Sequence, residues 1–71
     1  PYASIDAAMH RDMMAAGGAT PTDQWIAKMI AHHRGAVDMS RVVLAASPPA
    51  EVRRMAEATI ADQTREIAEL E

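Results

Sequence analysis

The sequence has no cysteine and no phenylalanine, and it holds one tryptophan and one tyrosine among 71 residues. Without cysteine, no disulfide can stabilise a domain this small, which buries only about 60% of the surface that its unfolded chain exposes. Helix packing, a metal ion or a partner subunit must then supply the stability. The hydrophobic content of 49% is rich in alanine, so we expect closely packed helices.

Two further absences limit the kinds of partner. No apolar run approaches the roughly 18 residues that a transmembrane helix requires, so we expect no membrane span. Seven basic against ten acidic side chains give a formal net charge of −3, and there is no basic face for nucleic acid. We therefore expect a single helical domain over residues 1–71 that does not bind nucleic acid.

The first residues and the absence of cysteine also bear on location. The sequence begins at Pro1-Tyr2 rather than at a methionine, so we expect a processed product or an excised fragment whose signal peptide has been removed. Methionine ligands without cysteine suit an oxidising compartment, where thiols tend to form disulfides. The expected location is secreted or periplasmic.

Cap residues and linkers predict three helices and no strand. The first helix should run from Ser4 or Asp6 to about Ala16, because serine and aspartate are good N-caps and Gly17-Gly18 supplies a stop.

The second predicted helix is the longest. Thr20 is its expected N-cap and Pro21 its first residue, and it should run to about Ala46. Ser47 is the expected N-cap of the third helix, which continues to the end of the chain.

The second helix carries an unusual concentration of histidine and methionine between residues 29 and 39. Each helical residue turns about 100°, so residues three and four apart share a face. One broad stripe therefore collects Met29, His32, His33, Ala36, Met39 and Ser40. Thioether and imidazole groups suit copper(I), and this stripe predicts a copper site. Gly35 should point away from it. The alternative is that these methionines simply fill the core, which is their common role.

The first helix repeats this chemistry with Met9, His10 and Met13 at helical spacing. We therefore expect an ion held between the first two helices. The candidate metal ligands are His10, Met13, Met29, His33 and Met39, with His32 either a ligand or a hydrogen-bond partner. Adjacent histidines point about 100° apart and cannot easily serve one ion. His33 is preferred because it lies nearer Met29.

The expected inner stripe of the third helix consists of Val52, Met55, Ala56, Thr59, Ile60, Gln63, Ile67 and Leu70. Gln63 is the unusual member, because a buried amide needs a partner. His32 or His33 is the expected partner. Glu66 borders the same face. On the second helix, the expected packing residues are Trp25, Ile26, Ile30, Val37, Val43 and Leu44.

These motifs resemble those of the bacterial secreted proteins classed as domain of unknown function 305. That family shows Met-x-x-His-His-x-x-Ala-x-x-Met, an earlier Met-His-x-x-Met and a later Gln-x-x-Glu-Ile. The matching residues here are Met29, His32, His33, Ala36 and Met39, then Met9, His10 and Met13, then Gln63, Glu66 and Ile67. The resemblance implies a ferritin-like helical bundle, an extracytoplasmic location and, in some members, copper binding linked to copper tolerance. Ala31 replaces a frequent proline of the family, and Leu70 replaces a frequent methionine.

The sequence thus predicts an extracytoplasmic module that binds copper(I), with a structural or interaction bundle that binds no metal as the alternative. An enzyme is not expected, because a ferritin-like di-iron site uses Glu-x-x-His motifs and none occurs here. Three helices with few aromatic residues should leave an apolar strip exposed, and we expect a homodimer that covers it.

Overall fold

The computed structural model describes residues 1–71 as three helices. These are α1 (Ala3–Ala15), α2 (Pro21–Ala45) and α3 (Ala50–Leu70). They contain 83% of the residues, and there is no strand. The prediction of an all-α, short helical bundle with a long second helix is confirmed.

The start of α1 differs slightly from the prediction. Tyr2 is its N-cap and makes no side-chain cap, while Asp6 lies in the first turn, where a carboxylate interacts favourably with the helix dipole. Ser4 therefore lies inside the helix. The helix ends at Ala15, one residue before the predicted Ala16, which is the C-cap and has an extended backbone. Neither of the following glycines uses a positive φ.

The start of α2 is as predicted, whereas the start of α3 is not. Thr20 accepts a hydrogen bond from the Asp23 N–H at 3.1 Å, and Pro21 is the first helical residue. Ser47 was expected to cap α3 but instead follows Ala46, the C-cap of α2, with a left-handed φ of 54° and its N–H bonded to the Leu44 carbonyl. The reason is Pro49, because a residue before proline is disfavoured in the right-handed helical region, so Pro48 cannot begin the helix directly after Ser47. Pro49 occupies the N-cap position of α3.

The three helices lie side by side with α2 in the middle. α2 packs against both α1 and α3, and α1 does not contact α3. His33 and Gly35 of α2, about 200° apart on the helix, face α3 and α1 respectively: His33 meets Glu66, and Gly35 meets Met9. The result is a flat shape of 44 × 25 × 12 Å.

Gly35 allows α1 to approach α2 closely. A Cβ atom at this position would overlap the Met9 sulfur. The sequence predicted that Gly35 points away from the Met/His stripe but gave it no role. In the structure, its role is to leave room for the Met9 side chain. Lys28 adds a second link between these helices, because its Nζ donates to the Met13 carbonyl at 2.8 Å.

The core is small. Its buried apolar residues are Ala31, Val37 and Ala56, and no side chain is fully buried. Among the residues expected to pack inward, Trp25 is 56% exposed, Met55 64% and Val52 39%. These side chains are exposed because the three helices form a single layer, and both broad sides of that layer face solvent. None of the helices has the combination of length and apolarity needed to traverse a bilayer.

Candidate metal centre

An open cleft lies between α2 and α3, with a volume of about 360 Å³. Its lining residues are Trp25, Met29, His33, Glu66, Glu69 and Leu70. We call it the α2–α3 cleft. It brings a thioether, an imidazole and two carboxyl groups to one place, and it contains two of the six predicted metal ligands, Met29 and His33.

His33 is the central polar group of the cleft, because both of its ring nitrogens have partners. Nδ1 lies 2.7 Å from the Met29 carbonyl oxygen, and Nε2 lies 2.8 Å from Glu66 Oε2. The His33 side chain is 10% exposed, and that of Glu66 is 42% exposed. Since a carbonyl oxygen can only accept, Nδ1 must carry a hydrogen and donate it to Met29.

Helical spacing explains this arrangement. Met29 and His33 are four residues apart on α2, so the ring of His33 can reach back to the carbonyl one turn earlier. On α3, Glu66 follows Gln63 by three residues and shares its side of the helix. The carboxylate of Glu66 therefore reaches His33 from the opposite wall of the cleft.

The predicted partner of Gln63 is wrong. Gln63 Oε1 is buried without a hydrogen-bond partner, although His33 or His32 was expected to supply one. His33 already has partners at both nitrogens, and His32 is exposed to solvent. The α3 side chain that bonds to a histidine of α2 is thus Glu66 rather than Gln63.

The other predicted ligands lie outside the cleft. His10 and His32 are exposed, and Met39 is 39% exposed. Met13 is half-buried on α1, which packs on the side of α2 away from His33. The structure therefore does not gather the predicted set around one ion between α1 and α2. The helical repeat accounts for this, because a stripe 120° wide extends from the side of α2 that faces α3 to the side exposed to solvent.

One contact of the site was not found from the sequence. Glu66 was noted as bordering the inner stripe of α3, and its contact with His33 was missed. The motif Gln-x-x-Glu-Ile contained the available signal. No three histidine, aspartate or glutamate side chains form a group able to hold a metal ion, so a site in this cleft would also need the Met29 thioether.

The fold and the cleft define a class: a small all-α protein with methionine and histidine on the wall between two long helices. Within that class, the chain belongs to the family described as Domain of unknown function (DUF305), whose match covers residues 3–71. No curated protein and no solved structure matches the chain.

Proposed function

We propose that this protein is an extracytoplasmic copper-binding module that takes up copper(I) through methionine and histidine side chains, rather than an enzyme. The observation that supports it most is the shared position of Met29 and His33 in the α2–α3 cleft. Thioether and imidazole are ligands that suit copper(I), whereas zinc(II) prefers imidazole, thiolate and carboxylate.

The hydrogen bond of His33 to the Met29 carbonyl supports a ligand role for the ring. Metal-binding histidines usually donate their second N–H to a carbonyl or carboxylate, which fixes the tautomer and the ring orientation. Here Nδ1 makes that bond at 2.7 Å, so the lone pair that could bind an ion belongs to Nε2. This nitrogen points into the cleft toward α3.

The extracytoplasmic location remains part of the proposal. It rests on the absence of cysteine and on the resemblance of the Met-x-x-His-His motif to secreted proteins. Copper(I) handling by thioethers also suits an oxidising compartment, because a thioether forms no disulfide there.

A structural or interaction bundle without metal is the second candidate. The His33 ring favours this candidate, because it is buried and both of its nitrogens already have hydrogen-bond partners within the protein. In this case His33 and Glu66 would serve only to hold α3 against α2.

Anaerobic titration of copper(I) against a competing chromophoric chelator separates the two candidates. The copper module should remove copper(I) from the chelator with simple stoichiometry and should prefer it to zinc(II). No competition at any chelator concentration would support the structural bundle. Preference for zinc(II) would argue against a methionine ligand.

We also propose that the chain works as a homodimer, because it exposes more surface than its size explains. A compact 7.7 kDa monomer exposes about 4,300 Å², whereas this chain exposes 4895 Å². Its radius of gyration is 13.4 Å, against about 11 Å for a compact chain of this length. The excess of about 600 Å² approaches the roughly 800 Å² per partner of a standard interface.

We propose that a second copy of the chain covers the open side of the helix layer. Domains normally have two packed layers, and this chain alone forms a single layer. The exposed Trp25, Met39 and Met55 supply apolar surface for that contact. Sedimentation equilibrium tests this: we expect a dimer at micromolar concentration that Trp25→Ser weakens. A wild-type chain that stays monomeric at high micromolar concentration would contradict it.

A further inference from the structure

The two open sides of α2 differ in their chemistry. The helix meets α3 through His33 and α1 through Gly35, which lie about 200° apart, so the sides between them face solvent. One open side carries three exposed charged residues, Arg34, Asp38 and Arg41. The other is lined by six residues that include no acid, lysine or arginine: Trp25, Met29, His32, Ala36, Met39 and Val43. We call this second side the α2 seam.

The spacing of the seam residues is typical of a helix that packs along another helix. They follow one another at intervals of four, three, four, three and four residues, which is the repeat of the two apolar positions in a coiled coil. Within the chain α2 packs against α1 and α3, and both lie on its flanks rather than over the seam. Trp25 is therefore 56% exposed and Met39 39% exposed. The seam thus lacks the helix that its spacing fits.

The α2 seam is complementary to itself when a second copy of α2 lies antiparallel to it, with both helices centred on position 34. The facing pairs are then Trp25 with Val43, Met29 with Met39, and His32 with Ala36. Each pair joins a large side chain to a small one or two of medium size. A parallel pair would instead place Trp25 on Trp25 and Ala36 on Ala36, and such crowding at one place with a gap at another lowers stability. Side-chain size therefore favours the antiparallel arrangement.

The charges near the α2 seam are compatible with this contact. His32 is the only polar member of the seam, and a polar residue at such a position fixes the register of two helices at a cost in stability. His32 thus sets the register rather than the affinity. On the same side of α3, three carboxylates have partners in their own chain: Glu66 bonds to His33, and Asp62 and Glu69 lie within 4.0 Å of Arg65.

We propose that the α2 seam is the homodimer interface, with the two α2 helices antiparallel and centred on position 34, so that Met29 of each copy lies against Met39 of the other. This inference rests on the homodimer of the proposed function, and it adds the face, the direction and the register of the contact. The charged side of α2 then stays in solvent. Two copies stacked in this way form the two layers that are usual in a domain, and they cover the excess surface of roughly 600 Å² on each copy.

Single cysteines test this interface, because the native chain has none. One chain carries Met29→Cys and another Met39→Cys; they are mixed in equal amounts at a concentration where the protein is dimeric and oxidised with diamide. The mixture should give a disulfide-linked dimer on a non-reducing gel, since the two Cα atoms of a disulfide must lie within about 7 Å of each other. Each chain alone should give almost none, because identical positions lie about 15 Å apart along the antiparallel pair.

The matched control is a mixture of chains that carry Ala27→Cys and Arg41→Cys. These positions have the same register about position 34 but lie on the charged side of α2, so they should not cross-link. Cross-linking of this control mixture in place of Met29→Cys with Met39→Cys would overturn the proposed face. Cross-linking of Met29→Cys with itself would show a parallel pair and overturn the proposed direction.

Sedimentation equilibrium of the wild-type chain separates a failure of this inference from a failure of the homodimer. A wild-type monomer at high micromolar concentration would overturn both. A wild-type dimer whose Met29→Cys and Met39→Cys chains do not cross-link would overturn the α2 seam alone. The single tryptophan adds a readout that needs no substitution: the emission of Trp25 should move to shorter wavelength as the dimer forms, and a dimer without this shift would also overturn the α2 seam as the interface.

Discussion

Replacing each of the two adjacent histidines with alanine gives the most direct test of the described cleft. His33→Ala removes the 2.8 Å contact with Glu66. A hydrogen bond to a charged group is worth about 1.5–3 kcal/mol, and we reduce this to about 1 kcal/mol because Glu66 is 42% exposed and regains water. Loss of the buried ring adds about 1 kcal/mol. We expect a loss of about 2 kcal/mol in the free energy of unfolding.

His32→Ala is the matched control. Its ring is exposed, and exposed substitutions usually change stability by less than about 0.5 kcal/mol. Both variants make the same change in helix propensity, so this effect cancels in the comparison. Urea unfolding of both metal-free variants at equal protein concentration measures the difference, which corresponds to about 10 °C in Tm. Equal losses, or a larger loss for His32→Ala, would refute the described orientation of the two rings.

Three further predictions address α1, the buried amide and the copper site. Gly35→Leu should lower stability by about 2 kcal/mol, because the new side chain overlaps Met9 and separates α1 from α2. Gly17→Leu is its control, since a Cβ there meets only the Ala15 carbonyl at 3.9 Å. Equal losses of stability for the two variants in thermal unfolding would contradict the close approach of α1 to α2 at Gly35. Gln63→Leu should leave stability unchanged or raise it by about 1 kcal/mol, because it removes a buried acceptor without a partner; a clear loss in urea unfolding would mean that the amide has a partner in solution. Copper(I) affinity should fall on acidification, because imidazole binds metal only when neutral, and a flat profile in competition titrations would exclude histidine ligands.

Local signals predicted the helices well. Thr20 and Pro21 mark the start of α2 because a cap is a contact between residues three apart. The boundary at Ser47 was wrong because two competing local rules apply there. Serine favours an N-cap at Ser47, whereas Pro49 disfavours helical backbone at Pro48, the residue that would have to begin the helix.

The site was harder to predict than the helices, because it depends on which neighbour each side of α2 meets. Sequence periodicity placed Met29 and His33 on one stripe, and the structure puts both in one cleft. Sequence periodicity could not show that His33 faces α3 and that Gly35 faces α1, because no local signal determines which helix packs on which side of α2. Gln63 was therefore expected to pair with His32 or His33, whereas His33 bonds to Glu66, one turn further along α3.

The central claim, that Met29 belongs to a copper(I) site, is tested most directly by one comparison of affinities. Met29→Leu and Met14→Leu each remove one sulfur at nearly constant volume; Met29 lines the cleft, while Met14 is 73% exposed on α1. The measurement is the copper(I) dissociation constant of each variant from anaerobic chelator competition at neutral pH. We predict that Met29→Leu weakens binding by more than about tenfold and that Met14→Leu leaves it unchanged. Equal affinities for the two variants would contradict the claim.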